Sequence, residues 1–269
     1  MEIKFFDVSH GFCALMIGDN GNIMLVDCGH NERTGFRPSS YLLARGCAAI
    51  EKLVIQNYDQ DHISDLPNIY QKTNVQNIHR NKSVTPEHLK RLKMETGPLT
   101  SAMISMIDMA SEYIHPVTIP PDFPNTTFSF YYHDYPRFTD TNNLSVVTFV
   151  HYSDFTIVFT GDLEKPGWKE HLNNPSFLAD LARVNVFVAS HHGRENGYCS
   201  EVFEYCSPDI VIISDKEIVH ETQRQQYKNH VPGLQWNGGP ERRYVLTTRS
   251  DGMITLTKTV AGAYKVTIS

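Results

Sequence analysis

Short apolar runs alternate with polar turns along this chain, and the runs at 3–6, 12–17 and 23–27 predict three strands at its start. Gly18-Asp19-Asn20-Gly21, between the second and third runs, has the composition of a tight hairpin turn, since glycine and asparagine accept the positive φ such a turn needs. A helix is expected over about 38–47. The strand predicted at 53–56 then runs into Asn57-Tyr58-Asp59-Gln60-Asp61-His62, after which Ser64 or Asp65 can cap a short helix.

The section from about 80 to 125 has a different character. Its spacing predicts helices over 86–94 and 99–113, with Met103, Ile107, Ala110 and Ile114 on one apolar stripe of the core-facing kind. Pro116, Pro120, Pro121 and Pro124 close it. Strands resume at 128–132, 145–150 and 156–160; a helix around 176–183 precedes strands at 186–189 and 210–213. Three more strands, near 244–247, 253–256 and 264–267, finish the chain. This order supports a mixed α/β domain with two sheets and helices outside them. No repeat or low-complexity linker interrupts residues 1–269, so one domain is expected, carrying the helical section at 80–125 as an addition.

Composition narrows the class without naming it. With 269 residues, 41% hydrophobic and 20% charged, the chain is an ordinary globular sequence long enough to bury a core. A net charge of -6 argues against a globally basic nucleic-acid binder, although bound cations would still make one cleft attractive to anions. Cys13, Cys28, Cys47, Cys199 and Cys206 form no C-x-x-C pair, as expected of reduced thiols in a cytoplasmic protein. The opening MEIKFFDVSH lacks the basic and apolar regions of a signal peptide, and no apolar run approaches the ~20 residues of a membrane span. The expectation is a cytoplasmic chain with no membrane contact and no protein partner that the sequence identifies.

Three predicted strands share one feature: each ends abruptly in acids and histidines. They run into Asn57-x-Asp59-x-Asp61-His62, into Gly161-Asp162-Leu163-Glu164, and into Ser190-His191-His192-Gly193. Carboxylates and imidazoles at strand ends are what a divalent metal needs, because the strands fix ligand direction and the loops let side chains converge. A lone Gly-Asp is usually a turn and a lone His-His is usually surface; the three together, in this order, point to a metal site. If the chain stays extended at 57–61, alternation sends Asn57, Asp59 and Asp61 to one side, and His62 turns in from the other.

These motifs, read as D-x-D-H, TGD and SHHG, resemble the metal-binding motifs of the metallo-β-lactamase superfamily. The segments FFDVSHGFCALMI, MLVDCG, DQDHISDLP, NNLSVVTFVHYSDFTIVFTGDLE, VASHHG and TTRSDGMITL are similar to the hydrolase domain of ComEC-type DNA-uptake proteins and their stand-alone relatives. The resemblance covers most of the chain but not 80–125. It implies a four-layer αββα sandwich. It also implies metal ligands at Asp59, Asp61, His62, Asp162 and one of His191 and His192, with Asn57 where relatives carry a histidine. Asp162 would bridge two ions, and Asp61 would also orient the attacking water. Asp27 would support the ligand loops, while Asn142, Asn143 and Ser145 would lie at the mouth of the site. His220 falls where relatives carry a histidine near substrate, which makes it a candidate phosphate binder or general acid. Arg194, directly after SHHG, is the cation expected to touch a phosphate.

Two departures bear on metal count. Asn57 offers a neutral amide in place of an imidazole, and the family's usual G-Q-G-D is Ser9-His10-Gly11-Phe12-Cys13 here. The expectation is therefore one or two divalent ions, Zn first, then Mn or Mg, and a phosphodiesterase or nuclease using a metal-bound hydroxide. Nucleic acid or a small nucleotide is the expected substrate. A thioester or other carbonyl-ester hydrolase of the same fold is one alternative, and a degenerate binding module, favoured by Asn57, is another.

Overall fold

The computed structural model describes residues 1–95, 97–216, 222–236 and 238–269. Among these residues, seven strands form one sheet, in the order Lys265–Ile268, Ile254–Thr257, Glu2–Phe5, Ala14–Ile17, Ile23–Val26, Lys52–Val54 and Ile78–His79. Six form a second, in the order Val245–Thr247, Ile210–Ile213, Val186–Val188, Phe155–Phe159, Val147–Tyr152 and Thr126–Tyr131. The expected hairpin pairs Ile17 with Ile23 across Gly18–Asn22, where the Gly18 N–H donates to the Asn22 carbonyl at 2.9 Å.

The strands are apolar at successive positions because both of their faces are buried. Met24 and Val26 point between the sheets while Leu25 points to the outer helices; Ile157 and Phe159 point inward while Val158 points out; Ile210 and Ile212 point inward while Val211 and Ile213 point out. One core therefore lies between the sheets. A second joins the outer face of the first sheet to Leu42, Leu66, Met103 and Met106, and a third joins the outer face of the other to Trp168, Phe177 and Tyr227. These are the four layers of an αββα sandwich.

Two details differ from the sequence pattern. The helix Ser101–Glu112 buries Ala102, Met103, Met106, Met109 and Ala110, so the buried stripe is rotated from the predicted one; Ile114 lies past its end and is 67% exposed. The helix Lys165–His171 has no counterpart among the elements the sequence predicts. Proline is tolerated in a first turn, and the Gly167 N–H finds the Asn143 side-chain oxygen at 3.0 Å. The two helices at 86–94 and 101–112 pack on each other and, through the second, on Leu66–Lys72 and the turn Gln60–Ile63.

Topology places the chemistry. Lys52–Val54 runs parallel to Ile23–Val26, and Phe155–Phe159, Val186–Val188 and Ile210–Ile213 run parallel to one another. Parallel neighbours bring their C-terminal ends to a common edge, and there Asp27, the 57–62 segment, Asp162, the two histidines and Ser214 emerge.

Candidate metal centre

Asp27 follows its strand in the left-handed region, φ 55°, which turns its carboxylate inward. Fully buried, it accepts the Gln56 N–H at 2.8 Å through Oδ1 and holds His62 Nδ1 at 2.7 Å through Oδ2. That contact sets the ring so that His62 Nε2 faces Asp162 Oδ1 at 3.0 Å. Ser145, buried, accepts the backbone N–H of Asp162 at 3.1 Å.

The 57–62 segment does not stay extended. Asp59 stands at the N-cap of a single helical turn, Gln60–Ile63, which breaks the alternation expected for Asn57, Asp59 and Asp61. Asp61 and His62 turn toward Asp162, whereas the Asp59 carboxylate is met by the Lys93 ammonium and by the Thr141 hydroxyl at 3.0 Å. The turn fits because Gly11 and Gly29 flank the Asp61 carbonyl; a Cβ on either would lie 2.3 Å from that oxygen.

His191 and His192 both take positive φ, 47° and 54°, a conformation uncommon outside glycine. The tight turn sends the rings apart. His192 Nδ1 donates to the Ser214 carbonyl at 2.9 Å, leaving Nε2 3.3 Å from Asp61 and 3.6 Å from Asp162. His191 instead accepts from the Arg194 guanidinium through Nε2 at 3.2 Å, and its Nδ1 lies 3.4 Å from Glu164.

One ligand atom from each of Asp61, His62, Asp162 and His192 lies within 4.8 Å of the others, the one such cluster of three or more among the described residues. His62 Nε2 and His192 Nε2 are buried and lack hydrogen-bond geometry although the carboxylates are close. Two imidazole nitrogens facing two carboxylates at 3.0–3.6 Å are the donor set of a divalent ion, and these residues fit one. Burial opposes charge on His192, yet Asp162 and Asp61 outweigh it and push its pKa up to about 9. His62 is also raised, against burial, by Asp162 and Asp27. Burial acts against the Asp162 carboxylate in turn, but His62 and His192 hold it well below the usual range.

Asp61 and Asp162 open on a cleft of about 630 Å³ whose lining includes His10, Arg33, Arg194 and Lys216. Arg194 donates to His10 Nε2 at 2.7 Å as well as to His191. Burial and neighbouring His192 lower His10 to about 4, so it is a neutral acceptor that fixes the guanidinium.

The remaining predicted residues are deployed differently. The Asn57 amide donates to Asn142 Oδ1 at 3.2 Å and accepts the Asp59 N–H at 2.9 Å; Asn142 in turn donates to Glu164 at 2.9 Å. Asn143 and Ser145 are buried rather than at the mouth, Asn143 accepting the N–H groups of Glu164 and Gly167. His220 lies outside the described residues. Lys93 and Thr141 had no role in the sequence pattern, which carries no signal for a polar side chain arriving from a distant element, whereas Glu164 closes the Gly161–Glu164 strand end. No helix among the described residues is long and apolar enough to cross a membrane.

ComE operon protein 3 of Bacillus subtilis is 23% identical over 175 residues, 65% of this chain but 21% of that protein, so the chain spans about a fifth of its relative's length. Among solved structures, a diphosphatase of the PhnP family is 11% identical, with 96% of this chain and 98% of that one covered and a TM-score of 0.47. Zn(2+)-bound PqqB from Methylobacterium extorquens is 11% identical, covering 70% of this chain and 72% of that one, with a TM-score of 0.41. The family model of the metallo-β-lactamase superfamily matches residues 7–194, through the strand ends, TGD and both histidines, and the chain belongs to that superfamily.

Proposed function

We propose that this chain is a metal-dependent phosphodiesterase acting on nucleic acid or a small nucleotide. The observation that carries the reading is Arg194, held by His10 and His191 beside the Asp61–Asp162 cluster on a cleft also lined by Arg33 and Lys216. A guanidinium whose position is set by two neutral acceptors is ready to receive the paired oxygens of a phosphoryl group. The sequence similarity to ComEC-type hydrolase domains agrees with this substrate class.

Asp61, His62, Asp162 and His192 would hold the ion; two imidazoles with two carboxylates suit Zn, with Mn next and Mg, which prefers oxygen donors, last. A divalent ion there supplies Lewis acidity, lowering the pKa of water and offsetting negative charge on phosphoryl oxygens. Asp61, a quarter exposed at its side chain and facing both cluster and cleft, is the group to orient the attacking water and accept its proton. Asp27 keeps the His62 ring aligned, and Arg194 binds the substrate's charge. The five cysteines are free thiols, which suits action in the cytoplasm.

The test is hydrolysis by Zn- or Mn-loaded protein of bis(p-nitrophenyl) phosphate against p-nitrophenyl acetate and a thioester. Phosphodiester turnover that disappears in Asp61→Ala, with folding retained, is the expected result. Turnover of the carbonyl substrates alone makes the chain a carbonyl-ester hydrolase, and no turnover makes it a binding module.

A further inference from the structure

The section at 80–125 meets the metal-binding turn through Lys93 and Thr100. Lys93 lies in the last turn of the helix Pro86–Met94, and its ammonium pairs with the Asp59 carboxylate at the start of the metal-binding turn. Its position is set from several sides. Thr85 caps that helix by accepting the His88 N–H, the helix packs on Ser101–Glu112, and the Thr100 hydroxyl donates to Gln60 Oε1 at 2.7 Å, one residue from Asp59.

A second ion beside the first would need donors from Asn57, Asp59, Asn142 and His191, and those groups are already committed. Asn57 and Asn142 hydrogen-bond each other, and the Asn57 oxygen also holds the Asp59 N–H. Asp59 has the Lys93 ammonium and the Thr141 hydroxyl. His191 Nε2 accepts from Arg194, so the neutral ring carries its proton on Nδ1, which faces Glu164 at 3.4 Å and has no lone pair for an ion. Glu164, its neighbour, already receives the amides of Asn142 and Asn196. No imidazole nitrogen among these groups is left for a second ion.

We propose that the centre holds a single divalent ion and that Lys93 supplies, from the helix Pro86–Met94, the positive charge that a second ion would otherwise bring to Asp59. The inference rests on the metal-centre reading above. A fixed ammonium neutralises Asp59 without demanding imidazole ligands, which is why Asn57 is compatible with an intact site. Lys93 is 16% exposed at its side chain and Asp59 34%, so the pair faces the entrance rather than the core.

The experiment is metal stoichiometry on the whole chain: chelation, reloading with excess Mn²⁺, desalting, elemental analysis, and the Mn²⁺ paramagnetic resonance spectrum. Wild type is expected to hold one ion per chain with an uncoupled spectrum. Lys93→Met, which frees Asp59, is expected to take up additional Mn²⁺, and Asn57→His/Lys93→Met to approach two ions with a spin-coupled spectrum. Asn57→His with Lys93 kept, and Lys93→Arg, should both stay at one. Two ions in wild type, two in Asn57→His alone, or one in every variant overturns the proposal while leaving the metal centre standing. No ion in folded wild type overturns the centre and this inference together.

Discussion

Arg194 donates to His10 Nε2 at 2.7 Å across 184 residues of sequence, and the same guanidinium reaches His191 Nε2 at 3.2 Å. Two acceptors on one arginine leave it few rotamers, so its remaining N–H groups have a defined direction. Arg194→Lys should lower kcat/KM for a phosphodiester by about 10-fold to 100-fold, since an ammonium cannot form the paired contact. His10→Ala should act mainly through KM, by loosening Arg194. Steady-state kinetics check both; unchanged kinetics in Arg194→Lys would remove Arg194 from the site.

Asp27 supports His62 from a left-handed backbone position that asparagine also tolerates. Asp27→Asn should therefore keep the fold while spoiling one of two contacts, because a single amide oxygen cannot serve both the Gln56 N–H and the His62 ring. Metal affinity should fall about 10-fold to 100-fold, measured by competition with a chromophoric chelator. Unaltered affinity would mean that Asp27 is only structural.

Chelation should destabilise the protein. An ion at about 100 times its dissociation constant adds about 2.7 kcal/mol to the folded state. For a chain of this size that corresponds to a thermal midpoint higher by about 5–10 °C. The shift should be restored by Zn or Mn and absent from His62→Ala, as read by scanning calorimetry.

Asp215 sits with both carboxylate oxygens buried and outside hydrogen-bond geometry, 3.4 Å from the Arg249 guanidinium. Burial, only partly opposed by Arg249, raises its pKa to about 6, above the ~3.9 of an unfolded chain. The folded state then binds more proton than the unfolded one between about pH 4 and 6, so this group's contribution to stability grows as pH falls through 6. The stability of Asp215→Asn relative to wild type should therefore decline from pH 7.5 to pH 5 in urea titrations. A pH-independent difference would rule out this assignment.

Among the described residues the cationic wall of the cleft is short: Arg33, Arg194 and Lys216. Three phosphate contacts on a single strand give a slope of log(kcat/KM) against log[salt] near -2, at roughly 0.7 per contact. A slope of that size is expected of a small nucleotide or short strand. One steeper than about -5 would show a long nucleic acid engaging surface beyond this cleft.

Much of the protein was legible in the sequence. Double-faced burial made the strands apolar at successive positions, and the motifs DQDH, TGD and SHHG named the strand ends that meet at one edge, because both signals are local and each residue's neighbours carry them. That Asp61, His62 and Asp162 would gather at one place was readable in this way. Only the tertiary structure shows that His192, and not His191, turns to Asp61 and Asp162, since two left-handed residues in one turn throw adjacent rings to opposite sides. It also decided that Asp59 leaves the cluster, because a helical turn starting at Gln60 cancels the alternation of an extended strand. The same holds for Lys93 and His10, which reach the site from 34 and 184 residues away from their partners Asp59 and Arg194. Periodicity records which face of an element is buried; it holds no information about which distant charge arrives to meet a polar side chain, and that is settled when the layers pack.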